Sequence, residues 1–95
     1  MADRWSLIDE MVSELGDLYA LEVEAANFPE ISDEPAVREV HFAVLRATDA
    51  MSRVGVTAAD PALRHARETL DSAVASAALA RRLVAEARAA RNRRL

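Results

Sequence analysis

Residues 60–91 read DPALRHARETLDSAVASAALARRLVAEARAAR, and this stretch decides the fold class. Asp60-Pro61 is a helix start, because an acidic acceptor suits the cap and a proline ring suits the first helical position. No glycine or proline follows Pro61, so nothing stops the helix before the last few residues. Leu63, Ala66, Leu70, Ala73, Ala77, Ala80, Val84 and Ala87 recur at steps of three and four, the rhythm of one buried helical face. So many alanines make a thin side-chain layer that lets a neighbouring helix come close.

Working back from Asp60, Gly55 stands where a left-handed C-terminal cap ends a second helix near Val54. Ser32 or Asp33 caps its start, with Pro35 tolerated in the first turn. Val37, Val40, Val44, Ala47, Met51 and Val54 form its apolar stripe. A first helix runs from a cap at Asp3 to about Ala26, where Asn27-Phe28-Pro29-Glu30-Ile31 breaks the pattern. Trp5, Ile8, Met11, Val12, Leu15, Leu18 and Tyr19 occupy one broad face of it. No strand-like alternation and no internal repeat occur.

The expected fold is therefore all-α: a three-helix up-down-up bundle over residues 1–95, with helices at about 4–26, 34–54 and 61–92. At about 1.5 Å per residue the first helix is about 33 Å long and the third about 48 Å. The third then overhangs its partners by two or three turns. One domain is expected, since two domains in 95 residues would each be too small to close a core. Even one core is small and alanine-rich, which favours completion by helix-on-helix dimerisation.

Composition narrows the function classes. Apolar residues make up 52% and charged residues 29%, a globular balance. No apolar run approaches the roughly 20 residues of a membrane span, and the start lacks a basic segment leading into an apolar one. A cytoplasmic protein is expected. There are no cysteines, which removes disulfides, thiolate metal sites and cysteine nucleophiles. All 12 basic residues are arginine, so Schiff-base chemistry on lysine is excluded too. Abundant alanine without lysine fits a GC-rich bacterial genome.

Three features ask for more than a core role. On the second helix, Phe42 and Leu45 leave the valine stripe and are surrounded by Arg38, Arg46, Asp49 and Arg53. Apolar side chains rimmed by arginine have the composition of a contact patch. Leu79 and Leu83 leave the stripe of the third helix in the same way. Phe42, Leu45, Leu79, Leu83, Arg46 and Arg53 are thus the candidate partner-binding residues, and a second copy of the chain is one partner that would bring the two pairs together. The plainer alternative for Phe42 is core, under a wide neighbouring helix.

Glu22 falls near the middle of the first helix's apolar face. Such a carboxylate is costly to bury alone, so it needs solvent or an arginine, with Arg46 one conceivable partner. A general base or an ion ligand is the less favoured reading. Charge is also unevenly laid out. Residues 1–34 carry ten acids and one arginine, a net of −9. Residues 35–75 balance, and residues 76–95 hold Arg81, Arg82, Arg88, Arg91, Arg93 and Arg94 against Glu86, a net of +5. Helix-end dipoles favour this order but act only over the last turn, and Arg81 and Arg82 lie well before it. Either the basic end meets an acidic first helix, in another copy or a partner, or it meets nucleic-acid phosphate. A pI near 5.1 and the lack of interleaved aromatics weaken the second alternative.

Catalytic, cofactor and metal-binding motifs are not found, and no cofactor is expected. His41 and His65 lie on different helices, and His65 with Glu68 has the reverse of the Glu-x-x-His order that a di-metal bundle uses. His41, beside Thr48, reads as a boundary residue. Two glycines build no phosphate loop, and the turn around Gly55 is too long for a helix-turn-helix. The segment Ser13-Glu14-Leu15-Gly16-Asp17-Leu18 resembles, over six residues, the Glu-x-x-Asp segment of the all-α MazG-type nucleotide pyrophosphohydrolases. That resemblance implies a metal-dependent nucleotide hydrolase with Glu14 and Asp17 toward magnesium. Only about a dozen residues precede the segment, which leaves no room for the helix bearing the family's first Glu-x-x-Glu pair, and Glu14 and Asp17 are expected on the outer side. The function expected is a small non-enzymatic helical interaction protein, an adaptor or regulator. A nucleic-acid-associated protein is the alternative, and the hydrolase a distant third.

Overall fold

The computed structural model describes residues 3–54 and 59–94. They form α1 (Asp3–Ala25), a 3₁₀ turn (Pro29–Ile31), α2 (Pro35–Met51), α3 (Asp60–Ser76) and α4 (Ala78–Arg93), with no strand among the described residues. None of these helices is long and apolar enough to cross a membrane. The expectation for Gly55 lies outside the described residues.

Both proline-led helices begin a residue away from their expected caps. Glu34 precedes Pro35, and Ala59 precedes Asp60, each with extended backbone and no capping side chain. Ser32, a cap candidate, instead donates its hydroxyl to the carbonyl of Pro29 at 2.8 Å and tightens the 3₁₀ turn. Asp60 still places a negative charge in the first turn of α3, where the helix dipole favours it.

The long C-terminal helix is bent rather than continuous. The bend is at Ala77, whose φ and ψ of −83° and −6° depart from those of α3 and α4. The Ser76 hydroxyl donates to the carbonyl of Ala73 at 3.0 Å, the same oxygen that the amide of Ala77 uses at 3.0 Å. A side chain competing for a ladder carbonyl tightens the turn and bends a helix without proline. The amide of Arg81 returns to the carbonyl of Ala77, so the ladder resumes at once.

The core is built as the alanine rhythm predicts. Ala66, Leu70, Ala73, Ala77, Ala80, Val84 and Ala87 are buried along α3 and α4, and Val40, Ala43, Val44, Ala47 and Ala50 along α2. Met11, Leu18, Leu21 and Ala25 fill the space from α1. Alanine on two facing helices permits close approach, and the larger α1 side chains take up the remaining volume.

One expectation about the core fails, and one buried residue carries no signal in the sequence. The broad face of α1 is split: Met11 and Leu18 are fully buried, whereas Trp5, Val12 and Tyr19 are about half exposed. The cause is where the neighbours sit. Tyr19 and Glu22 reach α2, Glu14 and Glu24 reach α3 and α4, and only the arc between these two contacts is covered. The residue without a signal is Phe28, which lies in the pattern break and is buried. The segment around it packs under α4 as far as Arg91, so the end of the last helix is not a free overhang.

The molecule is a rod of 51 × 23 × 16 Å. Its radius of gyration, 15.4 Å, exceeds the roughly 12 Å of a compact domain of this length.

Candidate functional site

The outer faces of the helices carry the candidate residues, and the register of each helix decides which of them come together. On α2, Val40, Val44 and Ala47 turn inward and His41 and Thr48 turn toward α1. Phe42 and Leu45 are left on the outer side, each 51% exposed. The ring of Phe42 meets His41 edge-on, with centroids 5.7 Å apart. Arg46 is exposed beside them, and Arg53 is tied to Asp49 one turn back at 3.3 Å. Leu79 is 48% exposed on α4, and Leu83, one turn further, is half-buried. Phe42 is therefore not core.

The arginine-rich end divides into two sets. Arg88 is paired with Glu24 of α1. Arg91 reaches Glu30 at 3.5 Å, donates to the carbonyl of Asn27 at 2.9 Å and covers the ring of Phe28. These two arginines meet the acidic N-terminal part of their own chain. Arg81, Arg82, Arg93 and Arg94 are exposed and join no ion pair among the described residues. With about 100° per residue, Arg82 and Arg93 share a face, while Arg81 and Arg94 turn off to either side. The four do not form one basic stripe.

The acidic residues of α1 are largely engaged. Glu22 is bonded to Nδ1 of His41 at 2.7 Å, so its partner is this histidine and not Arg46. Glu14 is not on the outer side: it is partly buried against α3, 2.7 Å from Nη1 of Arg67. Arg67 also holds Asp71 one turn on. The hydrogen bond that Arg67 donates to Glu14, then that to Asp71, raises the pKa of the guanidinium above its ordinary value, against a smaller opposing effect of burial. Asp17 is exposed. A Glu14 carboxylate held by arginine is not disposed toward a metal ion, and among the described residues no three His, Asp or Glu side chains gather as a ligand set.

An open groove of about 530 Å³ lies where α1 meets the start of α3, lined by Leu7, Leu63, Asp60, Arg64, Arg67 and Glu68. Charges of both signs rim it, and Arg67 is already engaged by Glu14 and Asp71. Its two acids and two arginines cancel, so it offers no net charge to a ligand and reads as a cleft between helices.

Sequence reasoning missed the exposed strip on α1, formed by Trp5, Val12, Tyr19 and Val23. The signal was present: Trp5, Val12 and Tyr19 are spaced at sevens, a repeat separate from Met11, Leu18 and Ala25. Compared with known proteins, the chain matches no family model, no curated protein and no solved structure.

Proposed function

We propose that the chain is a small non-enzymatic helical interaction protein, an adaptor or regulator that works through helix-on-helix contacts with itself or with a protein partner. The observation that carries this reading is the half exposure of Phe42, Leu45 and Leu79 on helices whose inward faces are already sealed. Large apolar side chains that the core does not need are what an interface uses, and arginine at the rim, here Arg46 and Arg53, suits such a patch. The reading takes the helices as an up-down-up bundle. In support, the pairs Arg4–Asp60, Glu14–Arg67 and Glu24–Arg88 advance together along the first and last helices. Tyr19–Thr48 and Glu22–His41 run in opposite senses along α1 and α2. A cysteine-free chain without a membrane-spanning helix among its described residues suits a cytoplasmic setting.

A photo-crosslinking amino acid placed at position 42, 45 or 79 in the producing cell tests the proposal. Discrete adducts from these positions, absent from a control at Ala75 on the exposed side of α3, are expected. Adduct mass then separates a second copy from another protein. No adducts, or the same pattern from position 75, would overturn it.

The nucleic-acid alternative retains Arg81, Arg82, Arg93 and Arg94, with Arg88 and Arg91 taken by their own chain. It requires duplex or single-stranded nucleic acid to be retained at low salt, with affinity falling steeply as salt rises and lost on truncation of residues 88–95.

A further inference from the structure

We infer that the exposed strip of α1 is a self-association seam, on which α1 of a second copy lies antiparallel about a twofold axis near residue 14. This deepens the interaction reading, on which it rests, by assigning one surface to a second copy and leaving Phe42 and Leu79 for another protein.

Area is the first argument. The chain exposes 6125 Å², whereas a compact monomer of this mass exposes about 5,400 Å². The excess of about 700 Å² goes with the elongated 51 × 23 × 16 Å shape, and a second copy that made the particle more compact would need to cover about as much, roughly 800 Å² from each partner in a standard interface. Among the described residues, Trp5, Val12, Tyr19 and Val23, between 46% and 67% exposed, are four of the seven large apolar side chains left exposed, and they share one face of α1.

Gly16 is the second. It lies on the same face, between Val12 and Tyr19, and nothing is within 4 Å of where its Cβ would be. Glycine is unfavourable inside a helix, and neither a positive φ nor a close contact within the chain calls for it. A backbone approached by another helix does call for it.

Charge selects the occupant and its direction. Glu14, Glu22 and Glu24 are turned away to Arg67, His41 and Arg88, so Asp9 is the one charged side chain on the strip by helical register. A parallel pairing in register would set Asp9 against Asp9 and align the helix dipoles. Antiparallel pairing about residue 14 sets Val12 against Gly16, Trp5 against Val23 and Asp9 against Tyr19. The Tyr19 hydroxyl, 3.3 Å from Oγ1 of Thr48, then accepts from the threonine and donates to the opposing carboxylate. The same strip is thus its own complement, as a twofold interface requires.

Sedimentation of the purified full chain over a range of concentrations tests this, with Gly16→Glu and Phe42→Glu as variants. Gly16 is exposed with open space at its Cβ, and glutamate is the better helix former, so Gly16→Glu folds. A dimer for the wild type and for Phe42→Glu is expected, with the dissociation constant of Gly16→Glu raised roughly a hundredfold or more by a charge in the seam. The chain has no cysteine, so single cysteines report register. Gly16→Cys is expected to crosslink to itself. Trp5→Cys is not, being offset from its mate by about 27 Å in an antiparallel pair. A dimer that survives Gly16→Glu, or that Phe42→Glu dissolves, would overturn the seam while leaving the interaction reading in place. A monomeric wild type at every concentration would also overturn it, and the crosslinks from positions 42 and 79 would then judge the interaction reading alone.

Discussion

The guanidinium carbon of Arg91 stands 4.2 Å from the centroid of the Phe28 ring, and the ring is 5% exposed beneath it. One residue from the last helix thereby closes the core over a segment that has no regular structure beyond one 3₁₀ turn. The same guanidinium donates to the carbonyl of Asn27 at 2.9 Å, fixing the corner between α1 and α2 from above.

Arg91→Ala is expected to lower stability by about 1 kcal/mol, combining a partly exposed cation–π contact with a hydrogen bond to backbone. Arg91→Lys should recover only part of this, because an ammonium keeps the charge but not the flat stacking face. Phe28→Ala should cost more, about 3–5 kcal/mol, since it empties a filled site. Urea titrations followed by circular dichroism give all three. A midpoint unchanged in Arg91→Ala would mean that the α4 end is not held on this corner.

The bridge from α1 to α3 makes a second prediction. Arg67 and Glu14 are 21% and 30% exposed at their side chains, against 63% and 65% for Arg53 and Asp49. A double-mutant cycle on Glu14 and Arg67 should return a coupling of about 1 kcal/mol, little changed by salt. The Arg53–Asp49 pair should return about 0.3–0.5 kcal/mol that salt removes. Equal couplings for the two pairs would show that burial does not protect the first.

Much of this fold is legible in the chain because its signals are local. Pro35 and Asp60-Pro61 place two helix starts within a residue of where they occur, and the alanine rhythm from Ala66 to Ala87 names the buried face of the last helix before any neighbour is known. What is not legible depends on the other helices. Trp5, Met11 and Tyr19 are alike as apolar positions, and only the placement of α2 and α3 decides that Met11 is sealed while Trp5 is not. Phe28 is hidden in the same way, because a pattern break carries no period from which to read burial. Glu22 needs a partner by its position, but whether Arg46 or His41 supplies it depends on the rotation of α2.

The bend at Ala77 gives a third prediction. Ser76→Ala removes the hydroxyl that shares the Ala73 carbonyl with the Ala77 amide. Alanine is also the better helix former. α3 and α4 should then approach one axis, seen as residual dipolar couplings from both halves fitting a single helix direction, with stability changed by less than about 0.5 kcal/mol. Couplings that still need two directions would assign the bend to packing against α1 and α2 instead.

Gly16→Ala separates the folding role of that position from its role at the surface. A helix-interior glycine costs about 1 kcal/mol relative to alanine, and the open space at its Cβ means that alanine meets no clash within the chain. At concentrations where the protein is monomeric, the variant should therefore be more stable by about 1 kcal/mol, read from the urea midpoint. If the position serves a second copy, the same substitution should weaken self-association, because the added methyl group holds the opposing Val12 away from the α1 backbone. A gain in monomer stability together with a loss in dimer affinity is the combination that only a surface role for Gly16 produces. A gain in both would show that the helix, and not the contact, is what glycine limits.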